Sequence, residues 1–323
     1  MTTKLKILQY LNRKGETTGN ELSNHLGLSD RAIRKQLKNL IEEGKISKIG
    51  IPPKVYYYLS ERKMTKDTPY LDKNTEEFIN TNYLYISPIG ERLDGVAGFV
   101  EWCKKTNQSV EKTAKNYVET INKYYKFKRH GLINGTLKLK NTFQRTGLEK
   151  LYYLDFYSID RFGKTKLGQM LLYAKQSQNK ALMKEISTNI RPKIMRLIKK
   201  LNITSIGFIP PTVKRQFQFM KELQKNLRLD QNIITISKAK IPYMTPQKTL
   251  TKLEDRIENA KKTIIVEDNN KHKNILLIDD AVGSGATLNE TALQIKRKKL
   301  CTGKIYGLAI VGSFKGFDVI SEV

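Results

Sequence analysis

Cysteine is almost missing from this chain: Cys103 and Cys301 are the only two among 323 residues. Two thiols so far apart build neither a disulfide framework nor a zinc site, and a reducing cytoplasm is the expected location. Histidine is as scarce, and His25, His130 and His272 are not spaced for a metal. No direct metal ligands are therefore expected from the protein. Long apolar runs are missing too; Ile275–Ile278 and Leu308–Val311 are among the longest. A membrane span needs roughly 18 such residues, so no membrane partner is expected. The opening residues, Met1 to Lys6, lack an apolar signal core, which argues against secretion. No tandem repeat or low-complexity linker is present. Acidic residues are few: 31 Asp and Glu stand against 59 Lys and Arg, a formal net charge of +28. Such an excess favours nucleic acid, nucleotides or phosphates as partners. Its spread along the chain, mostly as Lys, equally suits a solvated surface.

What is present is enough for two or three small domains, with 39% hydrophobic residues over this length. Residues 1–60 read as one compact unit. Leu5, Leu8 and Leu11 recur at helical spacing, and Gly15 to Gly19 breaks that helix. Glu21, Leu22 and Leu26 suggest a second helix stopped by Gly27. Ser29 is placed to cap a third. Ile33, Leu37, Leu40 and Ile41 give that third helix an apolar stripe, and Arg31, Arg34, Lys35 and Lys38 fall on the other side. Gly44 ends it. Lys45–Ser47 and Val55–Leu59 read as two strands around a tip with Pro52 and Pro53. Three helices and a two-stranded hairpin resemble a winged helix-turn-helix, the DNA-binding module of many bacterial regulators. A helix of this kind fits the major groove, where its basic side chains reach phosphates and base edges. Double-stranded DNA is the expected partner, with Arg31, Arg34, Lys35 and Lys38 facing it; protein contacts are the other use of such a module.

Residues 61–147 read as a mainly helical connector. Val110, Ala114, Tyr117, Val118, Ile121 and Tyr125 mark one amphipathic helix. Lys123–Arg129 interleaves basic and aromatic residues, as single-stranded nucleic-acid sites do, and equally as a helix end with buried aromatics does. From 148 to 323 strands and helices alternate. The expected strands are Ser205–Ile209, Ile233–Ile236, Thr263–Val266, Asn274–Ile278 and Lys304–Val311. The expected helices are Lys166–Lys175, Lys214–Leu227, Lys248–Lys261 and Leu288–Leu300. This alternation predicts a mostly parallel α/β sheet.

The strongest signal is Ile275-Leu-Leu-Ile-Asp279-Asp280-Ala281-Val282-Gly283-Ser284-Gly285-Ala286-Thr287-Leu288. A buried strand delivers two carboxylates at its carboxyl end, where open α/β sheets bind ligands. A loop of small residues then opens a helix. Backbone N–H groups and the helix dipole there can close on a phosphate, with Ser284 and Thr287 adding hydroxyls. Two adjacent acids suit the vicinal hydroxyls of a ribose. A dinucleotide fingerprint fails for want of a third glycine at Leu288, and a P-loop for want of its Lys. A response-regulator acidic pair would open its domain, whereas this one lies near the end of the chain.

The stretch resembles the phosphoribosyl pyrophosphate (PRPP) motif of type I phosphoribosyltransferases. That resemblance implies that Asp279 and Asp280 hold the ribose hydroxyls. It implies that Gly283, Ser284, Gly285, Ala286 and Thr287 cradle the 5′-phosphate, with Mg2+ bridging pyrophosphate and ribose. Ile209 to Arg215 sits where the family's pyrophosphate loop follows the first strand. Lys214 and Arg215 there are either pyrophosphate contacts or a surface pair at a helix start. Pro246, Gln247, Leu250, Arg256 and Asn259 resemble a segment of the ComF-like, competence-associated members, as do Tyr152-Tyr153 and the helix ending at Lys175. Hypoxanthine-type enzymes carry an acid where Gly283 stands, so hypoxanthine and guanine salvage are not expected. Phe314 and Phe317 could stack on a base or close the sheet.

The fold expected is thus α/β: an N-terminal winged helix-turn-helix, a helical connector, and a C-terminal phosphoribosyltransferase-like parallel domain. The combination is similar in architecture to the purine-operon repressors, where such a domain senses PRPP without catalysing transfer. The resemblance implies a homodimeric DNA-binding regulator that binds PRPP or a related nucleotide. Two other readings stay open: an active phosphoribosyltransferase, and a nucleotide-handling effector of a nucleic-acid-triggered system.

Overall fold

The computed structural model describes residues 2–51, 54–60, 71–211, 215–239 and 252–313. They divide into two compact units, one of residues 1–123 with 159–163 and one of 124–158 with 164–323. Of the described residues between 61 and 147, 71–123 fall in the first unit and 124–147 in the second.

In the first unit the order is α1 (Thr3–Lys14), β1 (Glu16–Thr18), α2 (Gly19–Leu26), α3 (Asp30–Glu42), β2 (Ile46–Ile51) and β3 (Lys54–Leu59). The tip at 52–53 lies outside the described residues. The local chemistry follows the sequence. Thr18 and Glu21 form a reciprocal capping box at the start of α2, and Gly27 ends it in the left-handed conformation. Ser29 accepts from the Ala32 N–H to start α3. Two details differ from expectation. The buried face of α1 is Ile7 and Leu11, while Leu5 is 46% exposed. The break at 15–19 is also more than a break: β1 pairs antiparallel with β3 and completes a three-stranded sheet, order β1-β3-β2. A three-residue strand carries too little periodicity to be legible.

The same unit continues through α4 (Lys73–Asn82), β4 (Leu84–Ile86), β5 (Arg92–Asp94), α5 (Gly95–Lys105) and α6 (Val110–Tyr125). Its second core is aromatic. Tyr83, Phe99, Trp102 and Tyr117 meet edge-on or tilted, and Phe162 completes the cluster from later in the chain, 5.1 Å from Tyr117 and 5.7 Å from Trp102.

The second unit opens with β6 (Lys128–Arg129), β7 (Leu132–Asn134), α7 (Thr136–Thr142) and β8 (Lys150–Phe156). After β9 (Ser158–Ile159), a 3-10 turn that belongs to the first unit, and β10 (Gly163–Lys164) come α8 (Lys166–Gln176), α9 (Lys180–Leu201), β11 (Ser205–Phe208), α10 (Phe219–Leu227), β12 (Asn232–Ile234), β13 (Ile236–Lys238), α11 (Leu253–Thr263), β14 (Ile264–Val266), β15 (Ile275–Val282), α12 (Ala286–Arg297) and β16 (Ile305–Gly312). The main sheet has seven strands in the order β12-β11-β15-β16-β8-β7-β6. Its first five are parallel, and β7 and β6 extend it antiparallel. Its centre is dry: Leu276, Leu277, Ile278, Leu308, Ala309 and Ile310 are fully buried.

The expected strand Ile233–Ile236 is two strands broken at Thr235. Its first part joins the main sheet, and its second pairs antiparallel with β14 outside it. Helix α10 starts at Phe219, later than Lys214. The 22-residue α9 was not anticipated, although Met183, Ile186, Ile190, Ile194 and Leu197 bury one face of it. Pro192 in its interior is the residue that propensity reads as a stop. Among the described residues no helix is long and apolar enough to cross a membrane.

Candidate DNA-binding face and candidate ligand site

The stripe of α3 that reads as basic is presented to solvent. Ile33, Leu37 and Leu40 are buried, and with Ile7, Leu11, Leu22 and Ile46 they form the core of the small domain. Arg31, Arg34, Lys35 and Lys38 are all exposed. Arg34 reaches back to the Asp30 carbonyl at 3.3 Å, and Lys38 lies 3.8 Å from Glu42, one turn on. Both contacts are solvent-facing and weak, so the four cations remain able to turn outward. Lys48, exposed on β2, adds a fifth cation on the hairpin.

The acids lie where a parallel sheet offers its carboxyl ends. Asp279 sits opposite Ala309 of β16, and the strand continues as far as Val282. Both carboxylates are half-buried. Asp279 Oδ1 accepts from the Asp280 N–H at 2.8 Å. Burial first, and then the charge of Asp280, push the Asp279 carboxyl up to about 7. Lys175, in the last turn of α8, donates to Asp280 Oδ2 at 2.6 Å. Lys238, at the end of β13, is the third partner. Burial draws its ammonium down, and both Asp279 and Asp280 hold it up. Two acids and two lysines therefore share one site.

Past the acids, Gly285 has φ +88° and caps α12. A Cβ there would stand 3.1 Å from Leu139 Cδ1, so both conformation and space ask for glycine. Ser284 is buried, and its Oγ accepts from the Ala286 N–H at 3.3 Å. Ala286 and Thr287 already belong to the first turn of α12, so the loop proper is shorter than Gly283–Thr287 suggests. Ser313 donates its N–H to the Val282 carbonyl and its hydroxyl to that of Gly283. Lys138 on α7 donates to Ser313 Oγ at 2.5 Å and to its carbonyl at 3.1 Å, which brings a third lysine beside the loop.

The other sequence candidates separate. Arg215 is half-buried and its carbonyl accepts from Gln218 Nε2, 3.1 Å away. Lys214, Gln247, Leu250, Phe314 and Phe317 lie outside the described residues. Arg256 is buried on α11. Lys128 of the basic–aromatic run pairs with the buried Asp155 at 3.1 Å and lies 4.3 Å from the Tyr125 ring centre. Lys175, Lys238 and Lys138 were missed as site residues because nothing local marks them; only the fold brings Lys175 and Lys238 to the acids and Lys138 to Ser313 beside the loop. A serine–histidine–aspartate contact also exists, with Ser205 Oγ 2.8 Å from His272 Nδ1 and Asp268 Oδ2 3.4 Å from Nε2. Ser205 is fully buried at the amino end of β11. The trio fastens strand ends away from the acids and offers no reachable nucleophile.

Residues 2–47 match the family described as winged helix-turn-helix DNA-binding. This part of the chain is a winged helix-turn-helix DNA-binding domain. The match, and the exposed cationic stripe on α3, support a DNA-binding regulator. Compared with the curated proteins, the chain matches none.

Proposed function

We propose that the chain is a DNA-binding transcriptional regulator whose α/β unit binds PRPP or a related ribose 5′-phosphate as a signal. One observation carries this reading. Adjacent half-buried acids lie in the carboxyl-terminal half of a central parallel strand, and three residues after that strand ends a glycine in the left-handed conformation opens a helix. Asp279 and Asp280 suit vicinal hydroxyls, and the Gly283–Thr287 backbone suits a phosphate. Lys175, Lys238 and Lys138 add the positive charge that a polyanion needs. Lys175 would leave Asp280 for a ligand anion as ribose hydroxyls take its place. Among the described residues no cluster of His, Cys, Asp and Glu could hold a metal by itself. The acids fit a Mg2+ that arrives on the ligand, where it would neutralise pyrophosphate. On this reading the protein acts as a homodimer.

The test is a titration of the full chain with PRPP and Mg2+, followed by calorimetry. Asp279→Asn/Asp280→Asn should weaken binding while the chain stays folded, each lost charged hydrogen bond costing about 1.5–3 kcal/mol. Unchanged affinity in that variant would overturn the assignment. A pyrophosphate-release assay with a panel of bases separates a sensor from a transferase. Gly283 offers no proton acceptor, so no release is expected with hypoxanthine or guanine.

A further inference from the structure

The first unit contains a cavity of about 470 Å3 whose lining includes no residue of α3. One wall is the second face of α6. Val110, Ala114, Tyr117 and Ile121 bury the first face of this helix. Lys112, Asn116, Thr120 and Lys123 follow one another at spacings of three and four residues and line the cavity. The facing wall is the junction of α1 and β1, at Lys14 and Glu16. Gln108, Thr113 and Arg161 also line it, and all three are polar side chains at least nine-tenths buried. Buried polar groups are costly unless they are satisfied. Here Gln108 donates to Thr106 Oγ1 at 2.8 Å, and Arg161 meets Glu16 at 2.5 Å. These contacts hold a polar floor in place. The lining carries four cations, Lys14, Lys112, Lys123 and Arg161, against two carboxylates, Glu16 and Glu119.

We propose that this cavity is a second ligand site, for a small phosphorylated metabolite the size of a sugar phosphate or nucleoside monophosphate. The volume falls in the range of about 300–1,000 Å3 common to small-molecule sites. The cation excess selects an anion. Lys112 lies in the first turn of α6, where the helix dipole also favours a phosphate. Asn116 and Thr120, one and two turns further on, match hydroxyls along the remainder of such a ligand. A peptide would want more apolar wall than Leu11 and Leu59 provide. The site bears on the DNA-binding domain, because Glu16 begins the strand whose last residue, Thr18, caps α2. An occupant that draws on Arg161 would loosen its grip on Glu16 and so act on the start of the helix-turn-helix.

The experiment is calorimetric titration of the full chain with ribose 5-phosphate, AMP and inorganic phosphate. Hydrogen exchange is followed in parallel. Titrations are repeated in Asp279→Asn/Asp280→Asn, which removes the acids of the α/β unit, so that failure of one site leaves the other readable. Expected are binding of ribose 5-phosphate or AMP that persists in the Asp variant and slower exchange over 15–18 and 109–123. A loss of about tenfold or more in Lys112→Gln/Lys123→Gln is also expected. Asn116→Trp, which fills the cavity, should abolish binding, and equal thermal midpoints will show that both variants fold. No binding in the Asp variant at millimolar concentration, or affinity unmoved by the lysine pair, would overturn the proposal. So would binding of inorganic phosphate alone, or of a short single-stranded oligonucleotide to the same residues in place of the small phosphates.

Discussion

Charge is held in opposite ways on α3 and at the end of β15. On α3 four cations point into solvent, and their contacts are an exposed carbonyl and a carboxylate one turn away. At β15 two carboxylates are half-buried, and lysines from α8 and β13 come to meet them. The first arrangement contributes little to stability, so its charges remain available to a partner. The second is part of the fold. Its charges are already matched, and a ligand must exchange one set of partners for another. A surface that recognises a polyanionic lattice needs only a spaced stripe, whereas a pocket that recognises one molecule needs groups from several elements.

This contrast breaks most sharply at Gly285. Its left-handed backbone lets the loop turn into α12. Gly285→Val should destabilise the second unit by about 1–2 kcal/mol from the backbone term alone, with the Leu139 contact adding to it. Urea denaturation with separate probes for each unit checks this; an unchanged midpoint would show that the loop relaxes freely. Next in size is Lys175→Met. It leaves Asp280 half-buried without its 2.6 Å partner and should cost about 1–3 kcal/mol. The same change at Lys35 on α3 should stay within about 0.5 kcal/mol of wild type. Equal effects at the two positions would remove the distinction between matched and available charge.

Legibility in the sequence follows the same division. The winged helix could be read because each of its parts is local: Ser29 caps, Gly27 and Gly44 stop, and the α3 stripe repeats every three or four residues. What escaped was non-local or brief. β1 is three residues long, and its partner strand begins 36 positions after β1 ends. The acids of β15 were visible because a buried strand and a small-residue loop are written consecutively. The lysines that answer them were not, since Lys175 is 105 positions from Asp280. Ile233–Ile236 read as one strand because periodicity does not report the kink at Thr235 that sends its halves to different sheets. Pro192 concealed α9, since a helix can keep a proline when the buried stripe on either side outweighs the lost hydrogen bond.

Another effect concerns pH. The Asp279 carboxyl is pushed from 3.8 to about 7 by burial and by Asp280. The folded chain therefore holds this proton more tightly than the unfolded chain does. The associated stability is present in full below about pH 4 and is lost as pH rises through about 7. Asp279→Asn removes the titration. The stability difference between about pH 5 and pH 8 should then be smaller in the variant, as read from denaturation midpoints at fixed ionic strength. A wild-type chain equally stable at both values would place Asp279 in an ordinary, solvated setting.

The smallest effect is on α3, and it is a change of slope more than of stability. If Arg31, Arg34, Lys35 and Lys38 lie along phosphates, each releases about one counterion on binding a duplex. Replacing a phosphate-contacting one by Ala should weaken binding to all sequences about equally and flatten log affinity against log salt by about 1. A residue that reads a base edge should instead cost about 1–3 kcal/mol on one sequence and leave the slope nearly intact. Fluorescence anisotropy with a duplex selected from random sequence, at four salt concentrations, distinguishes the two for each residue. The exposed stripe predicts that at least one residue behaves in the first way. If all four substitutions leave both affinity and slope unchanged, the duplex lies on another face of the winged helix, and the availability of charge on α3 has no bearing on DNA.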